Sequence, residues 1–351
     1  MFFMKKLFLI AAICLIGEVF AADVCVKEHK TILQSGDYRN YKNWMLSLHP
    51  SPGKEALLMS TSLAAHYPVT TAITWYKACI SREKFAALLQ QHYVPSSITI
   101  ATIPGNYDYS PDGAFWVDFA NAQHFGGSFR TTGNVQEERM FDEFPQLANL
   151  AYSLRDKKTI LPVNERGEAE PFLINSLMRL FDVSKAPYGR DVDVASPEDV
   201  QKSIVQLDKP FSKAHIIGLA AIDYNKNHEG ANHSSKYTKC DLEYLLQAAF
   251  LGDIAALQHN TQQTLCIHTG RWGAGAFKNS LKMVTAIQIL AAEMALKDLS
   301  ASLFFHGVDD SLLAPIRQEI DQKLSSGMTP LAILNHLCMY QDTDPSWRPQ
   351  E

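Results

Sequence analysis

Five short runs, SITIATI (97–103), AFWVDFA (114–120), AHIIGLAAID (214–223), TLCIHTG (264–270) and ASLFFHG (301–307), are apolar along their length and bounded by glycine, proline or polar turn residues. A strand with one wet face alternates polar and apolar side chains, whereas a continuously apolar strand has to be covered on both faces. Helical patterns separate the runs: LEYLLQAAFLGDIAAL follows the third, and LKMVTAIQILAAEMALKDL joins the fourth to the fifth. This alternation restricts the fold to the α/β class, with a three-layer α/β/α domain over residues 97–310.

The flanks read differently. Residues 22–96 are rich in helix formers and are expected to be a helical accessory region; SREKFAALLQQHY offers Ser81 as N-cap and Glu83 in the first turn. Residues 311–351 are expected to add C-terminal helices and a tail, with Asp309 and Asp310 beginning one helix, and Thr329 capping the other ahead of Pro330. VNERGEAEPFLI and PYGRDVDVASPED (187–199) read as polar connections, either loops or an insertion. The first residues, MFFMKKLFLIAAICLIGEVFAADVC, place Lys5 and Lys6 before an apolar stretch too short to span a bilayer, then Val19-Phe20-Ala21 as a cleavage site. Residues 1–21 are therefore expected to be a signal peptide and the protein to be secreted or exported, with no membrane span in the rest of the chain. Losing that leader removes Cys14 and leaves Cys25, Cys79, Cys240, Cys266 and Cys338, widely spaced and without a CxxC, so that one or two disulfides fit and their pairing stays open. A net charge of -5 implies no basic surface and no direct nucleic-acid partner, and a monomer is expected.

Chemistry concentrates in WVDFANAQHFGGSFRTTGNVQEERMFDEFPQL, Trp116–Leu147. A buried strand ends near Asp118 and Asn121, a glycine loop follows at Gly126-Gly127-Ser128, and a helix starts at Gln136-Glu137-Glu138. Ligands of α/β sheets bind at such strand-to-loop-to-helix transitions. Main-chain N–H groups of a glycine loop and a helix start suit an anion such as a diphosphate. Pro145 is expected to bend or restart the helix. The segment HEGANHSSKYTKC brings His228, Glu229, His233 and Cys240 close in sequence, but their spacing fits no standard metal site, and neither metal nor other cofactor is expected.

VDFAN, GGS, VQEE and the trailing FxxxPxL resemble the signature of the poly(ADP-ribose) glycohydrolases, which are macrodomains. IHTGRWGAGAFKNSLKMVTAIQILAAEMA, Ile267–Ala295, is similar to that family's TGNWGCGAF segment and following helix, and AAIDY (220–224) looks like a family strand. The resemblance implies a macrodomain with a mixed sheet, and an ADP-ribose polymer or ADP-ribosylated protein as the partner. It implies Glu138 as the catalytic acid/base and Glu137 as the neighbour that positions the ribose. Asp118 and Asn121 would help hold that ribose, and Gln136 would lie near the adenine. Gly126, Gly127 and Ser128 take the place of a GGG loop, and Gly273, Ala274, Gly275, Ala276 and Phe277 that of a loop around the diphosphate. His306 falls where an aromatic stacks on adenine, and Tyr188 and Tyr224 are candidates for a tyrosine that clasps it. Ser128, Arg271 and Ala274 depart from the family pattern, which leaves three readings: cleavage of the polymer, removal of single ADP-ribose units from protein, or binding of ADP-ribose without catalysis. The intact Glu137-Glu138 pair speaks against the last. Cleaving a ribosyl bond needs a proton on the leaving oxygen and stabilisation of an oxocarbenium-like transition state. A carboxyl shielded from water beside a second carboxylate keeps its proton to higher pH, which suits a donor.

Overall fold

The computed structural model describes residues 24–32, 43–62, 72–126, 132–154, 158–207, 213–228, 230–297 and 299–350. The strands are β1 (Cys25–Ile32), β2 (Ala72–Cys79), β3 (Thr99–Ile103), β4 (Phe115–Ala120), β5 (Phe172–Met178), β6 (Phe181–Asp182), β7 (Val205–Gln206), β8 (Lys213–Ala220), β9 (Leu265–Gly270) and β10 (Ala301–His306). Eight of them form one mixed sheet in the order β1-β2-β5-β8-β4-β9-β10-β3, and β6 pairs with β7 apart from it. All five apolar runs are strands of this sheet, and they are the ones that pair in parallel. β1, β2 and β5 extend the β8 side in antiparallel pairing.

Coverage on both faces accounts for the apolar runs. On β4, Phe115 and Val117 belong to a core shared with the helices Arg82–Leu89, Lys239–His259 and Leu281–Ala295, while Trp116 and Ala120 belong to a core under the helices Gln136–Glu143 and Pro145–Leu154. Strand alternation therefore turns Asp118 toward the second face, beneath Gln136–Glu143. Phe144 separates the two helices of that face, and Pro145 opens the second, so proline restarts the helix rather than bending it. At Arg82–Leu89 the Ser81 side chain accepts the Lys84 N–H, and at Pro330–Thr343 Thr329 accepts that of Ala332.

Three expectations change. The stretch 22–96, read as helical, also contains β1 and β2. Lysine and glutamate in β1 suit an edge strand with a wet side, and in β2 Ile73, Trp75 and Ala78 are buried in the cores on the two faces, while Trp75–Lys77 pair with β5, a strand distant in sequence. FLINSLM, placed at the end of a polar loop, is strand β5. AAIDY is not a strand beyond Ala220; its last residues form the loop after β8.

Register sets Cys25 directly opposite Cys79, and the Cys79 thiol lies 3.6 Å from the Cys25 carbonyl oxygen. Opposed residues on antiparallel strands have Cα atoms about 4.5 or 5.5 Å apart, inside the roughly 4.4–6.8 Å that a disulfide spans. Both thiols are free here, as are those of Cys240, Cys266 and Cys338.

Candidate active site

β4 and β9 pair only at Phe115 with Ile267 and Trp116 with His268, and beyond that point the two strands part. The Gln136 side chain enters the gap, accepting the Phe119 N–H at 3.0 Å and donating to the Val117 carbonyl at 3.2 Å. This locks the first turn of Gln136–Glu143 to the open end of the strand.

Glu137 and Glu138 follow in the same turn, and both are buried. Glu137 Oε1 accepts the Gly126 N–H at 3.0 Å, holding the start of the glycine loop. Gly126 has φ +79°, and a Cβ there would come within 2.4 Å of the Phe141 ring, so only glycine fits. Glu138 Oε2 accepts the Val135 N–H at 3.1 Å, satisfying an amide at the helix start, where the helix dipole also favours a carboxylate. Gly127 and Ser128 lie outside the described residues.

Asp118, expected near the ribose, is enclosed beneath the helix Gln136–Glu143. It is 1% exposed, and neither carboxylate oxygen has a hydrogen-bond partner among the described residues. Burial first, and then the Glu138 charge, push its pKa up to about 8. Three carboxyls thus gather around this turn: Asp118 below, Glu138 in it, and Asp142 one turn on, where burial raises the pKa, Lys54 opposes and Glu138 adds to the rise. Asn121 is half-buried just past β4 and turns its Oδ1 onto the Gln123 N–H at 2.8 Å.

After β9 the chain makes tight turns through Gly273-Ala274-Gly275-Ala276-Phe277. Gly273 has φ +67° and would drive a Cβ to 2.5 Å from Ala221, so the loop sits hard on the end of β8. Asn279 donates to the Ile222 and Gly273 carbonyls at 2.7 and 3.2 Å, and Tyr224 N–H donates to the Phe277 carbonyl at 2.9 Å. Ala274 is covered, whereas Gly275 and Ala276 stand exposed at the carboxyl end of the strand. Trp272 is fully buried, with its indole N–H on the Leu219 carbonyl at 3.1 Å, and serves packing.

A pocket of about 110 Å³ opens beside Gln136, bounded by Tyr107, Phe119, Arg139, Tyr188 and His306. Of the two tyrosines considered for the adenine, Tyr188 borders this pocket under the Arg139 guanidinium, 4.8 Å from its ring centroid. Tyr224 is 2% exposed and packs on Tyr237 instead. His306 is edge-on to Tyr107 at 4.9 Å and meets His268 at 2.9 Å between ring nitrogens. Burial lowers the pKa of both histidines, that of His268 to about 4 with His306 adding to the fall, so the pair is neutral near pH 7. Arg271, a departure from the family pattern, also lines the pocket. Sequence reading missed Tyr107 and Arg139; the first sits in a loop without a motif, and the second follows Glu138 as an ordinary helix residue.

His228, considered with Glu229, His233 and Cys240 for a metal, gives its Nδ1 to Asp223 at 2.7 Å. Among the described residues no group of three histidine, cysteine or acidic side chains is placed to hold a metal ion, and Glu229 lies outside them.

Residues 90–309 match the sequence profile of a family described as poly(ADP-ribose) glycohydrolase, macrodomain fold. No curated protein matches the chain by sequence. Among solved structures, a poly(ADP-ribose) glycohydrolase from Thermomonospora curvata is 14% identical, with 82% of this chain and 98% of that one covered and a TM-score of 0.41. The corresponding enzyme from Deinococcus radiodurans, in complex with ADP-ribose, is 16% identical over 69% of this chain and 91% of that one, with a TM-score of 0.44.

Proposed function

Starting from the chain's membership of the poly(ADP-ribose) glycohydrolase family, to which it belongs by the match over residues 90–309, we propose that it hydrolyses ADP-ribose glycosidic bonds with Glu138 as general acid and base. The observation that carries this reading is the placement of Glu138: buried in the first helical turn, two residues after the Gln136 that lines the pocket, and beside a second carboxyl at Asp118. Glu138 would give its proton to the leaving oxygen as the ribosyl bond breaks, then take one from the attacking water. The exposed backbone of Gly275 and Ala276 would receive the diphosphate. The pocket at Gln136, Tyr188 and His306 would take the adenine. Glu137, fixed on Gly126, would hold the loop against the distal ribose. Each step is a proton transfer or a charge contact that these side chains and amides supply, so the reaction is proposed to run without a metal.

The test is turnover by the purified full chain without added metal, with poly(ADP-ribose) and a mono-ADP-ribosylated protein presented side by side. Free ADP-ribose from the polymer is the expected result. Release from the mono-modified protein alone would replace the polymer reading with single-unit removal, and tight binding without release from either would make the chain an ADP-ribose-binding module.

Export belongs to the same proposal, resting on the leader read in residues 1–21, which lie outside the described structure. Protein recovered from an oxidising compartment is expected to begin at Ala22 and to carry a Cys25–Cys79 disulfide, formed by exchange with an oxidised dithiol carrier that leaves as its reduced form. Peptide mapping by mass spectrometry reads both points. An intact leader, or unlinked Cys25 and Cys79 peptides from exported protein, would contradict them.

A further inference from the structure

The helix Pro52–Ser62 lies outside the span that matches the family, yet it lays a charge against the helix that carries Glu138. Lys54 is 0% exposed, and its Nζ is 3.6 Å from Asp142 Oδ2. Asp142 is itself buried and stands four residues after Glu138, on the same helical face one turn away. Lys54 is the cation that pairs with Asp142 among the described residues. Its helix has little freedom to withdraw. A Cβ on Gly53 would meet the Val192 carbonyl oxygen at 1.9 Å, and Ser51 donates to Asp193 Oδ1 at 2.8 Å. The same Asp193 oxygen accepts the Gly133 N–H at 2.9 Å, just ahead of the Glu138 turn. Enclosing an amine completely is costly unless an opposite charge faces it, and removing one partner of such a pair leaves the other uncompensated.

We propose that Lys54 is a positioning residue for Glu138: its buried ion pair with Asp142 pins the helix Gln136–Glu143 and sets the charge that faces Glu138 from one turn away. This rests on the reading of Glu138 as the acid/base. Glu138 is faced by Asp118 from β4, by Asp142 on its own helix, and by Tyr188 from the segment before residue 190. Lys54 is the charge that the helix Pro52–Ser62 brings to this group. Without it nothing from that helix opposes the rise that burial gives Asp142, the carboxyls of Asp118 and Asp142 around Glu138 hold protons to higher pH, and the alkaline limit of activity moves up with them.

The experiment is the pH profile of ADP-ribose release by the full chain, with thermal midpoints taken alongside, for wild type, Lys54→Met, Lys54→Arg, Asp142→Asn and the double variant Lys54→Met/Asp142→Asn. Lys54→Met is expected to carry the alkaline limb of kcat/KM up by about one pH unit. Lys54→Arg keeps the wild-type limb, Asp142→Asn moves it down by leaving the ammonium unpaired, and the double variant, with neither charge, returns it close to wild type. A purely structural pair would lower the midpoints and leave the limbs in place, and that result overturns the proposal. Should Lys54→Met not fold, the opposite shift in Asp142→Asn and its reversal in the double variant decide the matter. A wild type without turnover would refute the enzymatic reading instead; the pH dependence of ADP-ribose affinity, by calorimetry on the same variants, would then test the charge coupling by itself.

Discussion

Glu138→Gln is expected to lower ADP-ribose release by about 10²–10⁴-fold, the contribution typical of a positioned general acid–base. Glutamine has the shape of glutamate and keeps an oxygen that can accept the Val135 N–H, so the helix start stays capped. What it lacks is a proton that can be given up and recovered. The loss should therefore appear in kcat, with the fold intact and ADP-ribose affinity close to wild type. Progress curves for free ADP-ribose and calorimetric titration with ADP-ribose separate the two quantities. A folded variant that turns over at more than a tenth of the wild-type rate would remove Glu138 from the mechanism.

The second large effect concerns stability. Asp118 is held in a dry site where its pKa lies near 8, against an ordinary value of 3.8. In the native state it keeps a proton that the unfolded chain has released. Between about pH 4 and pH 8 the folded protein therefore binds more protons than the unfolded one, and stability falls as pH rises across that window, levelling out above it. Each unit of difference corresponds to about 1.4 kcal/mol, so the whole window is on the order of several kcal/mol. Asp118→Asn, which carries no charge at any pH, is expected to flatten that slope and to gain most over wild type at pH 8. Glu138→Gln should flatten it in part, because the Glu138 charge is the second cause of the rise. Denaturant melts at pH 5 and pH 8 measure both slopes. Equal slopes in wild type and Asp118→Asn would mean that Asp118 ionises normally in the folded protein.

The parallel half of the sheet was legible because its strands are buried on both faces and their sequences stay apolar throughout. β1 was not, since an edge strand with one wet side carries lysine and glutamate at positions that also suit a helix. β2 owes its state to pairing with β5, about a hundred residues further on, and local propensity holds no record of that partner. At the site, the motif blocks located the turn Gln136-Glu137-Glu138 and the loop at Gly273–Phe277. They could not tell that Asp118 faces inward, because that depends on which face of β4 the helix covers. Nor could they supply Lys54, whose relevance comes from a helix end pressed against Val192 and has no signature of its own. Tyr188 stood as one of two candidates, and packing divided them: Tyr224 is enclosed by Tyr237, Tyr188 is open to the pocket.

The parting of β4 from β9 gives Gln136 a double employment. Its amide completes the hydrogen bonding of Val117 and Phe119, as a neighbouring strand would, and the same residue borders the pocket. Swinging that amide toward a ligand would strip two main-chain groups of their partners, so its orientation is fixed before anything binds. The adenine proposed for this pocket would meet a wall with the stiffness of the sheet itself. On the proposed reading, recognition on that side would be a matter of rigid fit, and whatever adjustment binding requires would fall to the opposite wall, where Arg139 lies over Tyr188.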